Sequence, residues 1–158
     1  MKIRKIRPRD RDDLDTLLRA QENFTPEEIQ VALELIDIVL NHPEQEDYII
    51  RVATAPEGAV VGYVCYGKAP LTDAVYDLYW IVVHPAFWNR GAGSSLLRDA
   101  EADLKRRRAR LLLIETSSKP SYETPRAFYR KHGYVEQARV RDYYAAGDHK
   151  LILGKALR

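Results

Sequence analysis

Hydrophobic positions along this chain change their period several times, and each change predicts an element. Lys2 to Ile6 reads as a short strand, and Leu14, Leu17 and Leu18 then recur at helical spacing behind the acidic Asp10, Asp12 and Asp13. Thr25-Pro26-Glu27-Glu28 predicts the start of a second helix: Thr25 can cap, Pro26 suits the first turn, and Glu28 stands where a capping box places an acid. That helix is expected to run to about Asn41. It carries an inner stripe of Ile29, Ala32, Ile36 and Leu40 and an outer stripe of Val31, Leu35 and Ile38. Cover by a neighbouring segment is the expected fate of the outer stripe, and pairing of two copies of the chain into a homodimer is the alternative.

Beyond Asn41 the period shortens. Tyr48–Ala53 and Ala59–Gly67 are β-rich runs joined by Pro56-Glu57-Gly58, a hairpin signature, and Val75–Val83 is a long aromatic third run that stops at His84-Pro85. Gly91-Ala92-Gly93-Ser94-Ser95 then opens a helix with Leu96, Leu97, Ala100 and Leu104 at apolar positions. Leu111–Ile114 is wholly apolar, as a strand buried on both faces would be. Thr124-Pro125 predicts another helix start, with Arg126–His132 as its body and Gly133 as its left-handed stop. Tyr134–Tyr144 and Lys150–Leu157 complete the chain as a strand pair. The order predicts an α/β (α+β) fold: a mixed, mostly antiparallel central sheet of about seven strands flanked by about four helices.

Composition narrows the function classes. The chain has 158 residues, enough for the single domain expected over 1–158, and its 25 Lys and Arg nearly balance 23 Asp and Glu, so no overall field selects nucleic acid or membrane. Cys65 is the only cysteine, which rules out an internal disulfide and fits a reducing compartment. No apolar stretch approaches bilayer length, and a cytoplasmic location is expected. The four histidines are scattered without ligand spacing, so no metal is expected. Lys105-Arg106-Arg107-Arg108-Ala109-Arg110 is basic, but it follows a helix whose negative end it complements, and no aromatic side chains are interleaved for base stacking. No nucleic-acid partner is expected.

The informative segment is the strand, loop and helix from Tyr79 to Leu97. Gly91 and Gly93 permit close backbone approach, the following helix directs free amides and a positive dipole end outward, and Arg90, Ser94 and Ser95 add donors, so an anion such as a pyrophosphate could be held without a metal. The competing reading is a loop that simply turns tightly. A Walker loop is excluded because no Lys precedes Ser94, and a dinucleotide fingerprint because Leu96 stands at its third glycine.

Two segments together resemble the GNAT family of N-acyltransferases. Tyr79-Trp80-Ile81-Val82-Val83-His84-Pro85 followed by Asn89-Arg90-Gly91-Ala92-Gly93-Ser94-Ser95-Leu96-Leu97 is similar to that family's cofactor-binding motif, and Arg126-Ala127-Phe128-Tyr129-Arg130-Lys131-His132-Gly133-Tyr134 is similar to its tyrosine-bearing helix. The resemblance implies an acetyl-CoA-dependent N-acetyltransferase acting on a primary amine, with a small-molecule acceptor expected over a protein. By position it places the backbone of Val82 and Val83 along the pantetheine arm and Asn89, Arg90, Gly91, Ala92, Gly93, Ser94 and Ser95 around the pyrophosphate. It places Tyr129 at the thioester sulfur, where a phenol of ordinary pKa ~10 stays protonated and can supply the departing thiolate. A non-catalytic acyl-CoA sensor or interaction domain is the alternative.

For the base, the resemblance points to Asp77, since some members carry a glutamate at this place. Asp77 and Tyr79 share a strand face by alternation, although an ordinary Asp pKa near ~3.9 suits base work only if burial raises it or a water relays the proton. Glu115 is the second candidate, and for either acid a salt bridge or a contact to the substrate ammonium is the competing role. Tyr76, Tyr79, Tyr143 and Tyr144 could wall an acceptor site. The chain departs from the family pattern at Trp88, where Gln or Arg is usual, and at Tyr122, where many members have asparagine; Tyr122 or Ser121 is then expected at the pantetheine.

Overall fold

The computed structural model describes residues 1–158. Its elements are β1 (Lys2–Lys5), α1 (Arg11–Arg19), α2 (Pro26–Asn41), β2 (Ile49–Thr54), β3 (Val60–Lys68), β4 (Val75–Val83), α3 (Ala92–Arg106), β5 (Leu111–Ser117), α4 (Glu123–Lys131), β6 (Val135–Ala145) and β7 (Asp148–Ala156). The seven strands form one sheet in the order β1-β2-β3-β4-β5-β7-β6. Antiparallel ladders join β1 to β2, β2 to β3, β5 to β7 and β6 to β7, while β4 and β5 pair in parallel. A parallel pair needs a crossover, and α3 supplies it. This is the predicted mixed sheet with four helices.

Two compact units share the chain: Met1–Gly67 with Trp80–Asp103, and Lys68–Tyr79 with Leu104–Arg158. In the first unit α2 begins where the sequence places it. The Glu28 amide donates to Thr25 Oγ1 at 3.1 Å and the Thr25 amide donates to Glu28 Oε2 at 3.0 Å, which satisfies two donors that a helix start leaves open. Leu14, Leu17 and Leu18 of α1 and Ile29, Ala32, Leu33 and Ile36 of α2 pack with Ile50, Val52, Tyr63, Cys65 and Val82 of the sheet. The outer stripe of α2 departs from expectation. Leu35 packs against this core, but Val31 is 47% and Ile38 38% exposed, so no neighbouring segment covers them.

On the other side of β3, Gly62 admits α3. A Cβ there would stand 2.9 Å from the Val82 carbonyl oxygen and 3.2 Å from Leu96 Cδ1. Two polar ties fix α3: Arg51 Nε donates to Asp99 at 2.8 Å and the Tyr66 hydroxyl to Asp103 at 2.8 Å. At the first strand, buried Asp10 accepts both guanidinium nitrogens of Arg4, at 2.7 and 2.9 Å, and the Arg7 amide at 2.8 Å.

In the second unit the parallel ladder runs from Val75↔Leu111 to Leu78↔Ile114, and β5 continues against β7 to Ser117↔Lys150. The strand is longer than its apolar run, because Glu115 faces outward while Thr116 and Ser117 are buried and paired. Helix α4 likewise starts earlier than predicted, at Glu123, so Pro125 falls inside its first turn, where a missing amide costs nothing. Gly133 takes φ 90° and ends it as expected.

Candidate active site

In the first unit, β4 passes into the glycine loop through a short 3-10 turn, Pro85–Phe87, whose entry is held by the Ala86 amide donating to His84 Nδ1 at 3.2 Å. Asn89 and Gly91 both adopt the left-handed region, at φ 60° and 81°. Asparagine and glycine tolerate it, and the two turns aim the backbone into α3. The Ser95 amide donating to the Gly91 carbonyl at 2.9 Å is an opening bond of α3, and a helix offers no carbonyl to the amides of Ala92 and Gly93 before it. Around the Gly91 α-carbon there is open space where a Cβ would stand. The arrangement presents backbone donors and a positive helix end to an approaching anion, with the Arg90 guanidinium held nearby over the Phe87 ring at 5.3 Å.

The end of β4 is partly committed. Val82 is buried in the core, and the Val83 carbonyl accepts two side-chain donors, Trp88 Nε1 at 2.8 Å and Gln21 Nε2 at 3.2 Å. Sequence reading flagged Trp88 only as a departure and passed over Gln21, which lies far away in sequence. Cys65 is buried in the core, and burial pushes its thiol up to about 12, so it stays protonated and is unsuited to nucleophilic work.

Within the second unit the structure brings Asp77 and Glu115 together. Cross-strand pairing puts Asp77 opposite Leu113, and two residues along β5 Glu115 stands on the same face. Lys150, opposite Ser117, joins them: its Nζ lies 3.1 Å from Glu115 Oε1 and 4.5 Å from the centre of the Tyr143 ring. Tyr143 and Tyr144 meet edge to face at 4.9 Å. Burial raises the Asp77 carboxyl above the usual range, repulsion from Glu115 adds to this, and the Lys150 charge partly offsets it. Burial works against the Lys150 charge, but the hydrogen bond to Glu115 and the attraction of Glu115, Tyr143 and Tyr144 together outweigh that and raise its pKa. Lys150 was missed in the sequence because only the β5–β7 register sets it beside Glu115.

Tyr129 belongs to a separate aromatic group on α4, edge to face with Phe128 at 5.2 Å and Tyr134 at 5.9 Å. It is buried, and burial raises its pKa above the ordinary tyrosine value. The start of α4 is fixed by Arg126, which is buried and donates to the Ser117 and Lys119 carbonyls at 2.6 and 2.8 Å and to Glu123 at 2.9 Å. Tyr122 stands half-buried just ahead of that helix, at its N-cap. The basic run is divided among structural tasks: Lys105 and Arg106 close α3, and Arg110 donates to the Asp73 carbonyl at 2.7 Å. No group of three His, Cys, Asp or Glu side chains is arranged to hold a metal ion, and no helix is long and apolar enough to cross a membrane.

Residues 46–136 match the model of the acetyltransferase (GNAT) domain. Across solved structures the chain superposes on a GNAT-family protein from Desulfovibrio desulfuricans with TM-score 0.94 and 35% identity over 99% of both chains. The ribosomal-protein-S18-alanine N-acetyltransferase of Escherichia coli follows with TM-score 0.78 and 18% identity, covering 99% of this chain and 93% of that one. PaiA N-acetyltransferase from Thermoplasma acidophilum, in complex with coenzyme A, gives TM-score 0.75 and 17% identity over 98% of each. No curated protein sequence matches the chain.

Proposed function

Because this chain belongs to the GNAT family of acetyltransferases, we propose that residues 1–158 act as one catalytic domain that moves an acetyl group from acetyl-CoA directly to a primary amine. The observation that carries the cofactor half is the loop at Gly91: a left-handed glycine with open space at its α-carbon, leading directly into the N-terminal turn of α3. In this reading Asn89 through Ser95 hold the pyrophosphate, the backbone of Val82 and the amide side of Val83 run along the pantetheine, and Tyr122 supports the arm. The acceptor is a small-molecule amine rather than a protein.

Asp77 takes the proton of the acceptor ammonium, directly or through a water, and the freed amine nitrogen forms a bond to the thioester carbonyl carbon. The C–S bond then breaks, and Tyr129 gives its phenolic proton to the leaving sulfur, so the products are an amide and CoA thiol. The proton balance closes when the acylated nitrogen gives up its second proton, through water, to the Tyr129 phenolate and Asp77 releases its proton to solvent, so that one proton leaves per turnover. Asp77 fits its task because its raised pKa brings it nearer to neutrality, while Glu115 is engaged by Lys150. Tyr129 fits because burial keeps it protonated.

A panel of small amines, amino acids and polyamines incubated with the protein and acetyl-CoA tests the reading. Amine-dependent release of CoA thiol is expected with at least one class of acceptor. Tight acetyl-CoA binding with no thiol release across the panel would instead favour the sensor reading.

A further inference from the structure

Trp88 combines two properties that seldom go together. It is 53% exposed, and it is held in place: its indole N–H donates to the Val83 carbonyl at 2.8 Å and its backbone amide to the Pro85 carbonyl at 3.2 Å. The other tryptophan, Trp80, behaves as a large aromatic usually does, packing on Phe24 at 5.8 Å and against the core. An immobilised apolar ring facing water costs hydration and ordering free energy, and the ring is not among those packed on the core around α1 and α2.

The anchor of Trp88 changes what β4 offers to a ligand. Because Gln21 also donates to the Val83 carbonyl, at 3.2 Å, both lone pairs of that oxygen are engaged and a ligand amide cannot use it. At this point the strand presents an indole face instead of an acceptor. Shortly beyond it in the chain come Gly91 and the opening amides of α3. In coenzyme A the pantetheine arm joins the pyrophosphate through one methylene, and the next carbon is quaternary and bears two methyls.

We propose that Trp88 is a cofactor-contacting residue whose indole face packs on this dimethyl segment of coenzyme A. The proposal rests on the reading that Gly91 to Ser95 hold the pyrophosphate. An apolar contact here replaces the polar side chain that the family motif usually supplies, and it makes recognition depend on the pantetheine arm as well as on the phosphates.

Calorimetric titration of the whole protein with CoA, 4′-phosphopantetheine and adenosine 3′,5′-bisphosphate tests this on wild type, Trp88→Ala and Trp88→Phe. Trp88→Ala is expected to weaken CoA and 4′-phosphopantetheine by about tenfold, the order that covering roughly 50 Å² of apolar surface is worth, and to leave the bisphosphate unchanged. Trp88→Phe, which keeps a ring but has no N–H, is expected to stay within about threefold of wild type, since most of the apolar contact survives. Unchanged CoA affinity in Trp88→Ala overturns the proposal, as does a loss confined to the bisphosphate. A Phe variant as weak as the Ala variant also overturns it, because the hydrogen bond to Val83 and not the ring face would then matter. If wild type itself fails to bind CoA, the pyrophosphate reading falls first, a result distinct from these.

Discussion

The Lys150 ammonium lies 3.1 Å from a carboxylate oxygen of Glu115 and 4.5 Å from the centre of the Tyr143 ring. This contact distinguishes two acids that share one face of the sheet: Glu115 is ion-paired with Lys150, whereas for Asp77 burial and repulsion from Glu115 outweigh the Lys150 charge and raise the pKa. Asp77→Asn is therefore expected to lower kcat by about 10²-fold or more, the range for losing a general base, whereas Glu115→Gln lowers it much less. Steady-state kinetics on the two variants, with the acceptor found by the amine screen, checks the ranking. Equal losses would contradict it.

The same cluster fixes the sign of the pH response. A base works when deprotonated, so kcat/KM is expected to fall as pH drops through the raised Asp77 pKa. The Lys150 charge lowers that pKa, and Lys150→Met is expected to move the acid limb of the profile to higher pH. An acid limb that stays in place or moves down would contradict the arrangement. Folding responds in the opposite sense to catalysis. A carboxyl with a raised folded pKa holds its proton more tightly when folded, so its ionisation opposes folding as pH rises, and Asp77→Asn is expected to raise the unfolding midpoint at neutral pH.

Asp10 shows the converse. Burial works to raise its pKa, but the hydrogen bonds from Arg4 and the Arg7 amide lower it overall. A depressed carboxyl contributes stability above its unfolded pKa of ~3.9 and loses it as pH falls through the lower folded value. Wild type is expected to lose stability in that acid window more steeply than Asp10→Asn, measured by denaturant unfolding at several pH values.

Tyr129→Phe removes one hydroxyl from a buried ring whose edge contacts with Phe128 and Tyr134 remain. It is expected to cut kcat by about 10²-fold while CoA affinity stays near wild type, the signature of a group used in the transition state. Parallel calorimetry and kinetics separate the two quantities, and full turnover in this variant would remove Tyr129 from the role of acid.

Gly62→Ala tests how α3 is seated. Its new Cβ would meet the Val82 carbonyl oxygen at 2.9 Å, backbone that cannot move cheaply, so a loss of about 1–3 kcal/mol is expected in chemical denaturation. A neutral result would mean that Gly62 is not closely approached by the Val82 carbonyl and Leu96.

What the sequence made legible follows the range of the interactions involved. Thr25 through Glu28 and Gly91 through Ser95 act within one turn of chain, and the elements they predict, α2 and the start of α3, stand where expected. The polar end of β5 hid behind its apolar run because Glu115, Thr116 and Ser117 are satisfied by β7, a partner far along the chain. Lys150 beside Glu115 and Gln21 on the Val83 carbonyl have the same cause: each pairing is set by tertiary register and leaves no local pattern. Trp88 was visible as a departure, but its anchored, outward ring is set by the fold of the loop after β4 and leaves no sequence pattern.

Thermal unfolding of the purified protein with acetyl-CoA, CoA, ATP and NADH in parallel tests the central claim most directly, because a ligand that binds only the folded state raises the midpoint. The expected result is a clear rise with acetyl-CoA and CoA and none with ATP or NADH. No rise with either thioester or thiol, or an equal rise with ATP, would contradict an acetyl-CoA site at the Gly91 loop.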